Sequence, residues 1–553
     1  MSKNGKRPTR VIFLGGLGEI GRNMLVIETQ GKILVIDTGL SFPNDEMLGV
    51  DLVLPDFTYV SERAEDCIGV VLTHGHEDHV GALSWFLQEV EVPVYGTPLT
   101  LGMARKRLNE TGQEAEMIEI SAPGTREIGP FRCRFLAVSH SIPDAIAIAV
   151  DTVDGRVVYT GDFKLDEAPI DGRHTDLDGF RELGDGGVDL LLSDSTNAET
   201  PGRTPSESLV GNGLRDLFAQ AQGRVVVACF ASNLHRIQQV CEAAEATGRH
   251  VAFIGRSMIN NFEVGRELGH IKVASGTVVD IDAIEHIPPS KIAVISTGSQ
   301  GEPFSALALI AAGEHKFVTA GKGDTVILSA SPIPGNESAV HRVINGLYKA
   351  GADVYDISMS PVHVSGHAAS EELAEMIRTV RPRHFTPVHG EYRHLSMHKK
   401  IAEANGVSPK VINIVEDGDV LELRDGKVTK GQPVPAGMVL VDGLGVGDVG
   451  PVVLRDRRVL AGDGILVCVV TIDQHGELVS QPDLISRGFV YEQESRDFLS
   501  EAAELVAQAV EDLEDDQVTD RDTVKKACRR ALGEFVWRST RRRPMLLPVV
   551  IEV

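Results

Sequence analysis

At 553 residues, 42% hydrophobic and 24% charged, the chain has the composition of an ordinary folded protein with room for two to four domains. Acidic residues outnumber basic ones 79 to 54, a net charge of −25, which argues against a passive basic nucleic-acid binder. No apolar stretch reaches the roughly 18 residues of a membrane span, and the polar, basic Met1–Arg10 lacks the apolar segment of a secretory signal.

The first predicted strand, Val11–Leu14, runs into Gly16-Leu17-Gly18-Glu19-Ile20-Gly21, a formal G-x-G-x-x-G with Asp37 at the distance of a ribose-binding acid. A dinucleotide fingerprint needs a helix running through and beyond its third glycine. Here Asn23–Thr29 and Lys32–Ile36 read as strands around a Gln30-Gly31 turn, so a helix has no room. Nicotinamide and flavin binding are set aside, and the glycines read as letting the backbone pass close beneath a site.

That site is announced after the apolar strand Ile68–Leu72. Thr73-His74-Gly75-His76-Glu77-Asp78-His79 sets three imidazoles and two carboxylates within six residues, ahead of a short helix expected over Val80–Val90. His74 and His76, two apart in an extended loop, reach one face, and Asp78 and His79 turn to a second position close by. Imidazole and carboxylate suit zinc and related divalent ions, and two ligand groups suit two ions. The bland alternative, a histidine-rich surface loop, fits a lone histidine better than this pattern.

Further candidate ligands close later strands. His140 follows Phe135–Val138, Asp162 follows Val157–Tyr159 after an Asp154-Gly155 turn, and His389 follows Arg383–Thr386. Asp162 is the natural bridging carboxylate, since metals about 3.5–4 Å apart need a shared anionic ligand. Asp37, ending Lys32–Ile36, reads as a carboxylate that fixes an imidazole or the loop backbone behind the ligands.

Residues 10–205 thus alternate strands and short helices as a first part of a core. From 206 to 365 the pattern is a regular, Rossmann-like α/β insert. Its strands are Arg224–Cys229, His250–Ile254, Lys291–Ser296 and Asp324–Leu328, with helices over Arg236–Ala246 and Val340–Lys349. The core resumes over 366–430, and the Gly- and Pro-rich stretch 431–451 reads as a linker. Residues 452–553 read as a small α+β domain. It has a strand over Gly464–Ile472, helices near 495–515 and 521–538, and a final strand Leu546–Glu552. Phe498, Leu505, Ala509 and Leu513 are expected on one helix face. Asp51 and Asp442, acids beside loop glycines, are candidates for a structural cation such as Ca²⁺. Six scattered cysteines without a Cys-x-x-Cys pair read as free thiols of a reducing cytoplasm.

With Asp37, His74/His76/Asp78/His79, His140 and Asp162 in this order, the chain resembles a metallo-β-lactamase-fold hydrolase. His389 comes more than two hundred residues after Asp162, a delay that resembles the β-CASP branch, whose members cut nucleic acids. That branch's motifs are matched at Asp194 in Ser193-Asp194-Ser195-Thr196, at His367 in Val364-Ser365-Gly366-His367, and at His389. The opening Gly15–Asn23, His363–His367 and Thr386–His394 resemble the bacterial ribonuclease J family over nearly the whole chain.

The resemblance implies an αββα sandwich with an inserted β-CASP domain and a C-terminal α+β domain. It also implies two Zn²⁺, with Mn²⁺ or Mg²⁺ as alternatives, one held by His74, His76, His140 and Asp162, the other by Asp78, His79, Asp162 and His389. His367 is the expected acid for the leaving oxygen, with Asp194 either orienting it or sharing the catalytic proton transfer. His363, Val364, Ser365, Gly366 and His367 are expected to hold the scissile region, with Ser232, Asn233 and Ser331 as phosphate contacts. The implied activity is cytoplasmic hydrolysis of single-stranded RNA, 5′→3′ from a 5′-monophosphate end and internally. Self-association as a dimer or tetramer and partners in an RNA-degrading complex are implied as well. The runs Arg105-Lys106-Arg107 and Arg541-Arg542-Arg543 either line an RNA path or are solvated faces. A small-molecule thioester, lactone or lactam hydrolase would use the same two ions without needing the insert. A metal-free RNA scaffold would not need every ligand type present.

Overall fold

In the computed structural model the described residues are 7–333, 335–490, 495–513 and 520–553. They divide into two compact units, one formed by residues up to Phe42 with Leu52–Val439, the other by Pro43–Asp51 with Leu440–Val553.

The first unit is built on two facing sheets. Among the described residues one has eight strands, in the order Lys427–Lys430, Val420–Arg424, Thr9–Gly15, Met24–Thr29, Lys32–Ile36, Cys67–Val71, Val94–Gly96 and Met117–Glu119. The other has six, in the order His384–Val388, Leu190–Asp194, Gly155–Tyr159, Ile146–Thr152, Phe131–Ala137 and Gly124–Ile128. Their inner faces interdigitate through Phe13, Ile27, Leu34 and Ile36 against Phe135, Ile148, Val150 and Leu192. The outer face of the first sheet is covered by helices Leu83–Glu89 and Pro98–Glu110. That of the second is covered by Leu177–Gly186, Ser370–Val380 and Tyr392–Ala404. Because both sheets are covered on both faces, their strands read as near-continuous apolar runs rather than alternating ones. The result is an αββα sandwich.

Three strands of the second sheet decide where chemistry falls. Gly155–Tyr159, Leu190–Asp194 and His384–Val388 are parallel neighbours in register. Their carboxyl ends therefore bring Asp162, Asp194 and His389 together, the end of a parallel sheet where ligands bind.

The insert between Leu190–Asp194 and His384–Val388 carries a parallel sheet in the order His250–Ile254, Ile292–Ser296, Val225–Ala228, Thr325–Leu328 and Asp353–Tyr355. Helices Ser208–Gln220, Leu234–Ala246 and Arg256–Glu267 pack on one face. Ala306–Ala312 and Glu337–Ala350 pack on the other.

In the second unit, Ile465–Ile472 pairs with Asp483–Arg487 and Met545–Glu552. Its alternation turns Leu466, Cys468, Val470 and Ile472 onto helices Arg496–Glu511 and Arg521–Thr540. On Arg496–Glu511 the buried stripe is Ala502, Ala503, Val506 and Val510, and Leu505 points outward, 42% exposed, so the expected face is corrected. The part of the helix expected beyond Leu513 lies outside the described residues.

Other expectations are revised as well. The helix expected over Val80–Val90 is two pieces, Glu77–Val80 and Leu83–Glu89. At the break, a Cβ on Gly81 would lie 2.5 Å from the Glu77 carbonyl oxygen and from Leu40. Within 431–451 the chain forms strands Met438–Asp442 and Gly445–Val446, so the stretch is structured rather than a plain linker. The helix Pro451–Asp463, with Leu454 its one buried residue, lacks the apolar stripe that would announce it.

Candidate metal centre

The loop after Cys67–Val71 delivers His74 and His76, and the one-turn helix Glu77–Val80 supplies Asp78 and His79. The loop is clamped from below by residues 37–40, where Thr38 N–H donates to the His79 carbonyl and Leu40 N–H to that of Glu77. Only glycine fits at position 39, where a Cβ would stand 1.7 Å from the Asp78 carbonyl oxygen. Asp37 is fully buried and takes Thr73 N–H at 2.7 Å on one oxygen, and His79 Nδ1 at 2.7 Å and Thr73 Oγ1 at 2.8 Å on the other. That contact places the His79 Nδ1 proton toward Asp37 and leaves Nε2 facing Asp78 and Asp162, 3.7 and 3.3 Å away.

His140 is fixed the same way. Its Nδ1 donates to the Gly366 carbonyl at 2.8 Å, so Nε2 faces inward. A Cβ on Gly366 would lie 2.8 Å from the His140 ring, which makes glycine obligatory there. His74 Nε2, His140 Nε2 and His76 Nδ1 converge, the first two lying 3.0 and 3.1 Å from the third. Across from them Asp162 Oδ2 stands 3.7 Å from both His74 Nε2 and His140 Nε2. The second cluster is Asp78, His79, Asp162 and His389, with His389 Nδ1 at 2.8 Å from Asp162 Oδ1 and Nε2 at 3.4 Å from Asp78. Asp162 belongs to both.

The electrostatics are those of a site built for cations. Burial, reinforced by neighbouring imidazoles, holds His74 and His140 well below the ordinary histidine value, and burial brings His76 to about 4. All three are neutral lone-pair donors. Burial also opposes charge on His79 and His389. The carboxylates Asp162, Asp37 and Asp78 nevertheless hold His79 well above its usual range, and His389, chiefly through Asp162, rises to about 10. Burial works against ionised Asp162 too, but His389, His79 and His367 keep it well below the carboxylate range. Two buried atoms, Asp162 Oδ2 and His389 Nε2, have no well-aligned hydrogen-bond partner. Orphaned buried polar atoms are costly, and three imidazole nitrogens aimed at one carboxylate oxygen are the donor set of a divalent ion. The residues present therefore fit two such ions.

His367 and Asp194 flank this centre. His367 Nδ1 lies 2.8 Å from Asp194 Oδ2 and 3.9 Å from Asp162 Oδ2, and its side chain is 20% exposed. Burial disfavours its charge, but Asp194 and Asp162 raise it above the ordinary value. Its carbonyl accepts from Thr204 Oγ1 at 2.7 Å and Asn197 Nδ2 at 3.2 Å, and its N–H donates to Ser365 Oγ. Val364 and Gly366 are buried, and burial beside Arg236 and Lys164 lowers His363 to about 3.

The remaining expected contacts lie in the insert. Ser232 and Ser331 follow the neighbouring strands Val225–Ala228 and Thr325–Leu328. Asn233 is buried, and its side-chain oxygen caps helix Leu234–Ala246 by accepting Arg236 N–H, so that oxygen already has a partner. Asp442 is ion-paired with Arg457, and Asp51 accepts Gly443 N–H at 2.8 Å.

Sequence reasoning did not single out Asn23, whose side-chain amide lies 3.1 Å from both the Asp78 carbonyl and His79 Nε2. Nor did it find a buried polar chain in the insert. Arg236, fully buried, reaches Glu207 Oε1 at 2.5 Å, the carbonyl of Val362 at 2.7 Å, and Ser329 Oγ. Glu207 N–H donates to Asp166, which faces the buried Lys164 ammonium at 3.1 Å. The only sequence signal is a string of charged residues with no local partner.

Together, fold and site define a metallo-β-lactamase-fold hydrolase with an inserted β-CASP domain. Residues 17–202 match the metallo-beta-lactamase superfamily, and 222–347 match the ribonuclease J beta-CASP domain. Residues 356–413 match a Zn-dependent metallo-hydrolase RNA specificity domain, and 452–553 the ribonuclease J C-terminal domain. The chain belongs to the ribonuclease J family. It is 44% identical to ribonuclease J of Mycolicibacterium smegmatis over 98% of this chain and 97% of that protein. It is 46% identical to ribonuclease J of Mycobacterium tuberculosis over the same shares, and 42% identical to ribonuclease J2 of Bacillus subtilis over the full length of both. A crystal structure of a protein of unknown function from Enterococcus faecalis V583 shares the fold, with a TM-score of 0.53 and 16% identity over 75% of this chain and all of that one.

Proposed function

We propose that this chain hydrolyses single-stranded RNA with two Zn²⁺, acting 5′→3′ from 5′-monophosphate ends and also internally, in mRNA decay and rRNA processing. The observation that carries the reading is the convergence of six ligand side chains on a seventh, the shared carboxylate of Asp162. The ions, when bound, supply a water acidified toward neutrality and offset charge on the phosphoryl oxygens. Asp37 holds His79 by Nδ1 and the Gly366 carbonyl holds His140 by Nδ1, so the ligand atoms are pre-aimed. His367, partly exposed and with its protonated form favoured by Asp194 and Asp162, donates its proton to the departing 3′ oxygen, with Asp194 fixing the ring. Residues His363–His367, together with Ser232, Asn233 and Ser331, line the RNA path.

Free cysteines throughout the chain suit a reducing cytoplasm. Among the described residues no helix is long and apolar enough to cross a membrane. A homodimer or homotetramer, with partners in an RNA-degrading complex, completes the reading. The test is a time course on RNA labelled at a 5′-monophosphate, with Zn²⁺, Mn²⁺ or Mg²⁺ added to chelated protein. Labelled mononucleotide appearing from the outset supports the exonuclease half, and internal fragments alone would remove it. No cleavage with any ion overturns the whole.

A further inference from the structure

The helix Arg521–Thr540 ends beside a run that the catalytic reading leaves unused, Arg541-Arg542-Arg543. From Arg529 to Arg543 the sequence holds six arginines and one glutamate, five net positive charges over fifteen residues in a chain whose total is −25. Trp537 lies among them, 38% exposed. It forms the wall of a cavity of about 450 Å³ with Gly533, Pro544 and Leu546, and Arg529, Arg542 and Arg543 stand around it.

The guanidinium groups are placed but not neutralised. Arg543 and Arg541 stand 4.7 and 5.5 Å from the centre of the Trp537 ring. A cation on an indole face is held through its charge and keeps its N–H donors free. Arg542 gives one N–H to the Phe489 carbonyl at 3.0 Å, and the Arg543 backbone N–H donates to Asp463. Among the described residues the guanidinium groups of Arg529, Arg541, Arg542 and Arg543 have no carboxylate partner, and the one acid of the stretch, Glu534, is paired with Arg538 at 3.1 Å. The run Arg105-Lys106-Arg107 is different, because Lys106 is paired with Glu263 and Arg107 with Glu77. That run is a paired face. The C-terminal one is an unspent positive site around an exposed aromatic.

We propose that this cavity is a second site for single-stranded RNA, in which a base stacks on Trp537 and the flanking phosphates take Arg529, Arg542 and Arg543. Base–aromatic stacking beside a positive groove is the physics of sequence-tolerant single-strand binding. The proposal rests on the reading that the chain acts on RNA, and it gives the C-terminal unit the task of retaining long substrates.

The test uses full-length chain, chelated so that nothing is cut, and a 30-nucleotide single-stranded RNA. RNA should quench tryptophan emission, with the Trp537→Phe variant reporting the Trp85 background. Trp537→Ala should bind about 10- to 100-fold more weakly, whereas Trp537→Phe stays near wild type. Changing Arg541, Arg542 and Arg543 together to Ser removes two of the three phosphate contacts and should lower the salt dependence of log K by about 1.4. With metal restored, cleavage of a tetranucleotide should be unchanged in all variants. Unaltered affinity and salt dependence overturn the proposal, as does an equal loss on the tetranucleotide. A fall in mass by light scattering with RNA affinity intact would assign the surface to a second copy instead. A chain that binds in this way yet cuts no tetranucleotide would support this site and sink only the catalytic reading.

Discussion

His76 Nδ1 sits where His74 Nε2 and His140 Nε2 meet, and each of those nitrogens is a lone-pair donor held by a hydrogen bond on its other side or by burial. Removing one imidazole therefore breaks one cluster without opening the core. His76→Ala, and separately Asp78→Ala with His79→Ala, should abolish RNA cleavage and lower bound metal while the circular dichroism spectrum stays unchanged. Normal activity in the double variant would end the two-ion reading. His367 is a different case, because its ring faces Asp194 and reaches solvent. His367→Ala should lower kcat by about 10²–10⁴-fold with metal content unchanged, as expected for the loss of a general acid. Loss of metal would make it a ligand, and a normal rate would make it loop structure. At this scale the sequence is most readable where chemistry-bearing side chains close strands, as His140, Asp162 and His389 do. Asn23 escapes notice because nothing local distinguishes it from a turn residue; its partners, Asp78 and His79, lie 55 and 56 positions away.

Between elements, the less legible parts are those set by long-range partners. The hairpin Met24–Thr29 and Lys32–Ile36 and the apolar strands of the insert follow from periodicity and turn residues. The helix Arg256–Glu267, with Asn260 and Asn261 in mid-helix, and the three-residue strand Asp353–Tyr355 carry little such signal. The Lys164–Asp166–Glu207–Arg236 chain carries none, yet it ties the end of a core strand to the insert and to the Val362 carbonyl that leads into His363–His367. Arg236→Met should destabilise the first unit by about 3–5 kcal/mol, because Glu207 is left buried without its partner. Adding Glu207→Gln should recover much of that stability in chemical denaturation. The rate should stay low in both variants, since the Val362 carbonyl loses the Arg236 guanidinium and keeps only Ser329 Oγ as a donor. Recovery of rate together with stability would show that the chain does not position the loop.

The loop Gly15–Asn23 supplies a pH test. Leu17 N–H and Arg22 both donate to Asp417 at 3.2 Å, and burial, with Glu19 nearby, pushes that carboxyl up to about 7 despite Arg22. A folded-state value above the unfolded one means that the native state keeps a proton the unfolded chain has lost. Asp417 should therefore cost stability progressively as pH rises from about 4 to 7, with no further loss above. Asp417→Asn, fixed in the neutral form, should remove that slope from the denaturation midpoint. Parallel curves for the two proteins would place the titration elsewhere.

For the whole molecule, an excess of 25 negative charges keeps most surfaces apart, so the face that is apolar stands out. The sheet of the second unit buries one side on its helices. The other side presents Leu547, Val549 and Ile551 at 45%, 37% and 44% exposure, with Ile485 at 38% on Asp483–Arg487. Among the described residues Met545–Glu552 also lies at the edge of that sheet, with strand partners on one side only. A contiguous apolar face beside an open strand edge invites association, and two copies meeting about a twofold axis would cover both faces at once. Full-length protein should show at least twice the chain mass in light scattering. Leu547→Glu with Val549→Glu should return it to one chain, as should truncation near residue 450, with the first unit still folded. Charge placed on a solvated face would instead leave mass and stability alone, and a full-length monomer would refute the association outright.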